Sequence, residues 1–117
     1  MSIPPEALQK LLQEIEQKAA FSQQQMGLVK AQMAAKAREQ RMLQLTTSEV
    51  DALPPDTKVY EGVGKMFVFS PRDDVKQRLA AEGEELKGDT VNLEKKLHYL
   101  ETTYKNSRDN LEQLFKR

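Results

Sequence analysis

The 117-residue chain has no cysteine and a single histidine. Without cysteine there is no disulfide framework, thiolate metal site or cysteine nucleophile, and the composition is compatible with a reducing compartment. His98 has no second histidine or cysteine with which to converge, and it sits beside Leu97 on a helix flank. It reads as a solvated flank residue rather than a catalytic base or metal ligand. There is no net charge either, because 18 basic side chains balance 18 acidic ones. No field therefore draws the chain onto nucleic acid or an anionic membrane, and neither is expected as a partner. No apolar run approaches the roughly 20 residues needed to cross a bilayer. The opening MSIPPEALQK lacks a basic segment followed by an apolar one, so the expectation is a soluble intracellular protein. Glycines are few, and the Gly62-x-Gly64 pair lacks the further glycine and following helix of a phosphate loop. No cofactor is implied, and no acid, base or metal constellation of an enzyme is visible.

Hydrophobic residues make up only 38% of the chain, so any core must be narrow. Their arrangement shows how. From Leu8 through Leu12, Ile15 and Ala19 to Leu43, the steps alternate four and three residues, and eight of those eleven positions are apolar. From Leu79 through Leu86, Leu93, Leu97 and Leu100 to Leu114 the same alternation recurs, again with eight of eleven apolar. A 3.5-residue repeat of this length calls for a supercoiled partner helix. Two seams of equal length within one chain predict an antiparallel pair formed by folding back. The spacing permits facing residue numbers that add to 119 or to 126. The larger sum is preferred, because it faces Leu43 with Gly83, Val29 with Leu97 and Lys36 with Thr90, whereas 119 sets Gln40 against Leu79.

Local signals suggest where the helices stop. Ser2 is a candidate cap, with Pro4 or Pro5 in the opening turn and Glu6 at the positive dipole end. The segment Thr47-Ser48-Glu49-Val50-Asp51 looks like a second capping signal, opening a short helical turn that Pro54 and Pro55 end. The second arm is expected to start with Ser70 as cap and Pro71 at the first helical position. Glu82, Glu84 and Glu85 read as an exposed acidic face, and the Gln-rich first arm as a neutral solvated surface.

Between the arms, residues 57 to 70 are rich in β-branched and aromatic side chains. Gly64-Lys65 suits a two-residue type II′ turn, pairing Val63 with Met66, Gly62 with Phe67, Glu61 with Val68 and Tyr60 with Phe69. One face would carry Tyr60, Phe67 and Phe69, the other Val59, Val63, Met66 and Val68. A lone two-stranded hairpin is marginal in water and has two open edges, so these seven residues are expected to form an oligomer interface.

The predicted fold is mainly α: a long antiparallel two-helix coiled-coil hairpin with one β-hairpin at its midpoint. It is expected as a single domain, with a helix over about 4–46, a turn of helix at 48–53, strands within 57–70 and a helix over 71–116. The order of helix, VYEGVGKMFVFSP hairpin and helix resembles a β-class subunit of prefoldin. The specific part is Val59, Tyr60, Val63, Gly64, Lys65, Met66 and Phe67. That resemblance implies one of six subunits of a hetero-hexamer whose hairpins form a β-barrel platform with coiled-coil tentacles. It further implies capture of unfolded chains such as actin and tubulin at the tentacle tips and transfer to a cytosolic chaperonin without nucleotide hydrolysis. The implied location is cytoplasmic, with a nuclear role left open. Under the 126 register Leu8 has no full partner, so Ile3, Leu8, Leu11 and Phe115 are the candidate client-binding residues at the arm tips. The competing reading is a structural coiled-coil scaffold or tether, which has no need of an amphiphilic hairpin at its centre.

Overall fold

A computed structural model describes residues 4–115. In chain order these form α1 (Pro5–Ala52), β1 (Val59–Val63), β2 (Met66–Ser70) and α2 (Arg72–Phe115). The chain is thus a mainly α helical hairpin with one antiparallel β-hairpin between its helices, as the heptads and the central strand run predict. The described residues form two compact units, residues 4–33 with 92–115, and residues 34–91.

The seam assignment holds along both helices. All eleven seam positions of each are buried or half-buried, while His98, Glu82, Glu84 and Glu85 are exposed. In the unit of residues 34–91 the register is fixed by contacts. A methyl group at Gly83 would sit 3.5 Å from Leu43 Cδ2, Lys36 Nζ lies 3.4 Å from Asp89 Oδ2, and Lys76 Nζ lies 2.8 Å from Asp51 Oδ1. Residue numbers fall on α2 as they rise on α1, and the three pairs add to 126, 125 and 127, which fits the 126 register and excludes 119. Lys36, expected opposite Thr90, turns one residue aside because Asp89 offers it a carboxylate.

In the other unit the most buried side chains are Ala19, Ser22 and Val29 from α1 with Leu100 and Ser107 from α2. The buried Ser107 hydroxyl donates to the Thr103 carbonyl at 2.9 Å, so its burial leaves no unmet donor.

Helix ends depart from expectation in three places. Leu8 N–H donates to the Pro4 carbonyl at 2.9 Å, which puts Pro4 in the cap position and Pro5 at the first helical one; Ser2 lies outside the described residues. At the other end, α1 does not stop near residue 46 but runs unbroken to Ala52. The Thr46 and Thr47 hydroxyls donate back to the Met42 and Leu43 carbonyls at 2.9 and 2.8 Å, a bond that a helix interior accepts. The seam continues through Thr47 to Val50, which is buried against Val75 and Leu79. Burial of Val50 outweighs the local capping signal. Pro54 then ends the helix, since the residue before a proline is pushed out of the helical region.

Third, Ser70 does not cap α2. It is the last residue of β2, paired with Val59, and the Pro71 carbonyl accepts the first helical bond from Val75 N–H at 3.1 Å. The helix starts one residue late because the ladder has claimed Ser70. Asp73 and Asp74 occupy its first turn, where the helix dipole favours them.

The strand register is the one the turn predicts: Tyr60 with Phe69, Glu61 with Val68, Gly62 with Phe67 and Val63 with Met66. Gly64 has φ 61°, and among the described residues no non-glycine has positive φ, so Lys65 does not. This is the requirement of a type II′ turn, whose first central residue alone needs the left-handed side of the map.

Candidate assembly and capture surfaces

Strand alternation puts Tyr60 and Gly62 of β1 on the same face as Phe67 and Phe69 of β2. The Tyr60 and Phe69 rings meet edge to face, 6.0 Å apart and inclined at 68°. This geometry favours the ring quadrupoles. Yet Tyr60 and Phe69 are each more than half exposed, and Phe67 is 77% exposed. The chain thus presents an aromatic face that it does not itself cover.

The other face is divided. Val59, grouped with the interface residues by alternation, instead packs against the cluster of Val50, Val75 and Leu79, beside Leu43. Val63, Met66 and Val68 on the same face remain exposed. Val59 is spent inside the chain because the helices meet β1 at its first residue and not at the turn.

Polar contacts fasten this junction. Glu61 accepts a hydrogen bond from the Arg78 guanidinium, tying β1 to α2. That bond raises the Arg78 pKa above its ordinary value, against a smaller desolvation effect that lowers it; the coulombic pull of Glu61 and Glu82 adds to the rise. Arg72 Nη2 donates to the Asp51 carbonyl at 3.1 Å, and Lys76 pairs with the side chain of the same residue. The hairpin is therefore carried on a braced base.

The described part of the second predicted surface belongs to the unit of residues 4–33 and 92–115. Leu8 is half-buried, Leu11 is 37% exposed and Phe115 is 74% exposed. Ile3 lies outside the described residues. Leu11 lines a shallow cavity of about 240 Å³ with Ile15, Asn110, Gln113 and Leu114. Neither Leu8 nor Phe115 borders it, so among the described residues of the predicted set only Leu11 lines the cavity, and seam residues Ile15 and Leu114 join it. Sequence reasoning also passed over Phe21, Leu28 and Tyr99, all more than half exposed in this unit. Phe21 and Leu28 carried a signal: they stand seven residues apart, each one position ahead of a seam residue.

Among the described residues no three His, Asp or Glu side chains are grouped to hold a metal ion, and no helix is long and apolar enough to cross a membrane. The geometry is that of a two-helix coiled-coil chain that leaves an aromatic hairpin face uncovered.

Comparison with known proteins gives this class a family. The family model for prefoldin subunits matches residues 7–117. The probable prefoldin subunit 1 of Schizosaccharomyces pombe is 36% identical over 107 residues, 92% of this chain and 96% of that one. Prefoldin subunit 1 of Homo sapiens is 29% identical over 107 residues, 92% of this chain and 88% of that one. The crystal structure of the prefoldin beta subunit from Thermococcus strain KS-1 superposes with a TM-score of 0.78 at 27% identity, covering 96% of this chain and 94% of that one. The chain belongs to the prefoldin subunit family, a family of non-enzymatic chaperone components that assemble with other prefoldin subunits.

Proposed function

We propose that this chain is one subunit of a hexameric, ATP-independent chaperone that binds unfolded polypeptides such as actin and tubulin and passes them to the cytosolic chaperonin. The observation that carries the reading is the exposed face of Tyr60, Phe67 and Phe69 on a chain whose helical seam positions are buried or half-buried. A tether needs the seam alone; the aromatic hairpin supplies a site for neighbouring subunits. Client capture is assigned to Leu8, Leu11 and Phe115, with Ile3, because Leu11 and Phe115 offer apolar surface that the fold does not use. The chain acts in the cytoplasm.

The test is reconstitution. Replacing Phe67 and Phe69 by Asp places charge in the buried contact, and a buried unpaired charge costs several kcal/mol. The double variant is expected to stay helical and to drop out of complexes purified from the cytosolic fraction, as read by native mass spectrometry. Recovery in normal stoichiometry, or recovery of the wild-type chain without other prefoldin subunits, refutes the reading.

A further inference from the structure

Gly62 stands in the middle of β1 opposite Phe67. Nothing in the chain's own backbone requires glycine there, since Gly64 is the only glycine with positive φ. A methyl group at Gly62 would meet Cε1 of Phe67 at 3.8 Å, ordinary van der Waals contact, and no backbone atom of the chain blocks it. Glycine inside a strand weakens it, having no side chain to pack and more freedom to lose on folding. The fold alone would do at least as well with alanine.

What the glycine changes is the relief of the aromatic face. With no side chain at position 62, the Phe67 ring lies over β1 while remaining the most exposed large apolar side chain among the described residues. Beside it stands the fixed edge-to-face pair of Tyr60 and Phe69. The result is a low point walled by Phe67 and by that pair. Within the paired strands this face carries no charge, because Glu61 lies on the opposite face and is engaged by Arg78. An occupant must therefore be apolar. A glycine in a strand interior commonly marks the place where another backbone or ligand approaches closely.

The geometry points to Gly62 as a specificity-determining notch that receives a bulky apolar side chain from the hairpin of a different prefoldin subunit, with Phe67 as its wall. This rests on the reading of the hairpin as the assembly interface. The occupant is a partner hairpin because this two-stranded sheet has open edges and because the family assembles with other prefoldin subunits. The notch selects partners by shape, and a side chain at position 62 fills the space that the neighbour needs.

The experiment compares Gly62→Ala and Gly62→Val with wild type in complexes co-expressed with the partner subunits. Gly88→Ala serves as control, since a methyl group at Gly88 meets nothing within 4 Å. The free Gly62 variants are expected to melt at or above the wild-type temperature. Gly62→Val is expected to enter the complex at least tenfold more weakly, Gly62→Ala to fall between, and Gly88→Ala to match wild type. Entry of Gly62→Val at the wild-type level overturns the notch, as does a loss of entry matched by a fall in melting temperature of the free chain. The Phe67 and Phe69 to Asp variant separates the two readings. If that variant is excluded while Gly62→Val assembles, the interface stands and the notch fails; if it assembles, the interface reading itself fails.

Discussion

Arg72, the first residue of α2, donates from Nε to the carbonyl of Val50 at 3.3 Å, near the end of α1. Its Nη2 takes the next carbonyl, that of Asp51. The last carbonyls of a helix have no partner within it, and a cation there also meets the negative end of the dipole. One side chain at the start of the second helix thus finishes the first, across the residues that form the β-hairpin. Arg72→Ala is expected to lower stability by about 1–2 kcal/mol, the range for hydrogen bonds from a charged donor that is only half-buried. Arg72→Lys, unable to fork across two carbonyls, should recover less than half of the loss. Thermal melts of the three proteins, followed at the helical band, check the order.

Val50 makes the fold-level counterpart of that contact. Its side chain is buried with Val75 and Leu79, and Val59 of the hairpin packs against the same cluster. Val50→Ala removes two methyl groups from this small core and should cost about 2 kcal/mol, within the range for shortened aliphatic side chains. Because the cluster is what continues α1 past the threonines, hydrogen exchange of residues 46–52 should accelerate in the variant more than that of residues 26–40. Uniform acceleration would show that the last turns of α1 are held by something else.

These two residues also show what the sequence could and could not disclose. The 4,3 spacing and the Gly64-Lys65 turn are local, so the seam, the 126 register and the strand pairing were all legible. Thr47-Ser48-Glu49 reads as a cap just as locally, but the burial of Val50 that overrides it comes from α2, about 25 residues further along the chain. Val59 misled for a related reason. Alternation places it on the same strand face as Val63, while only the path of the helices decides that Val59 alone is covered. The exposed aromatic face was readable because it lies within one hairpin. A surface for capture would be defined by a client outside the chain, so apolar composition at the helix ends marks only candidates.

Gly83 offers a prediction of opposite sign. A methyl group there meets Leu43 Cδ2 at 3.5 Å, an ordinary contact, and glycine within a helix costs about 1 kcal/mol relative to alanine. Gly83→Ala should therefore raise the melting temperature. Gly83→Leu forces the facing Leu43 out of a filled seam and should lower stability by about 1–3 kcal/mol. If both variants destabilise, Leu43 is packed more tightly than this geometry allows.

Phe115 and Leu11 test the capture surface without disturbing the rest of the chain. Phe115 is 74% exposed, so its ring contributes little to the fold, and Phe115→Ser should leave the melting temperature within about 1 °C of wild type, as expected for a surface change. Leu11 borders the cavity with Ile15 and Leu114, so Leu11→Ser should cost more, about 1 kcal/mol, yet leave the helices intact. Both residues fall in the unit that excludes the hairpin, and assembly should proceed normally. Each apolar side chain buried against an unfolded polypeptide contributes about 1–2 kcal/mol, and several subunits binding one chain multiply such losses through effective concentration. Hexamers carrying the double variant are thus expected to suppress aggregation of denatured actin several-fold less well than wild type at equal concentration. Phe21→Ser is the matched control, because Phe21 is 59% exposed in the same unit but is not among the candidate residues. Should Phe21→Ser abolish suppression while the Leu11 and Phe115 variant retains it, capture lies along the helical shaft at the stripe of Phe21 and Leu28, and the assignment to the ends is wrong.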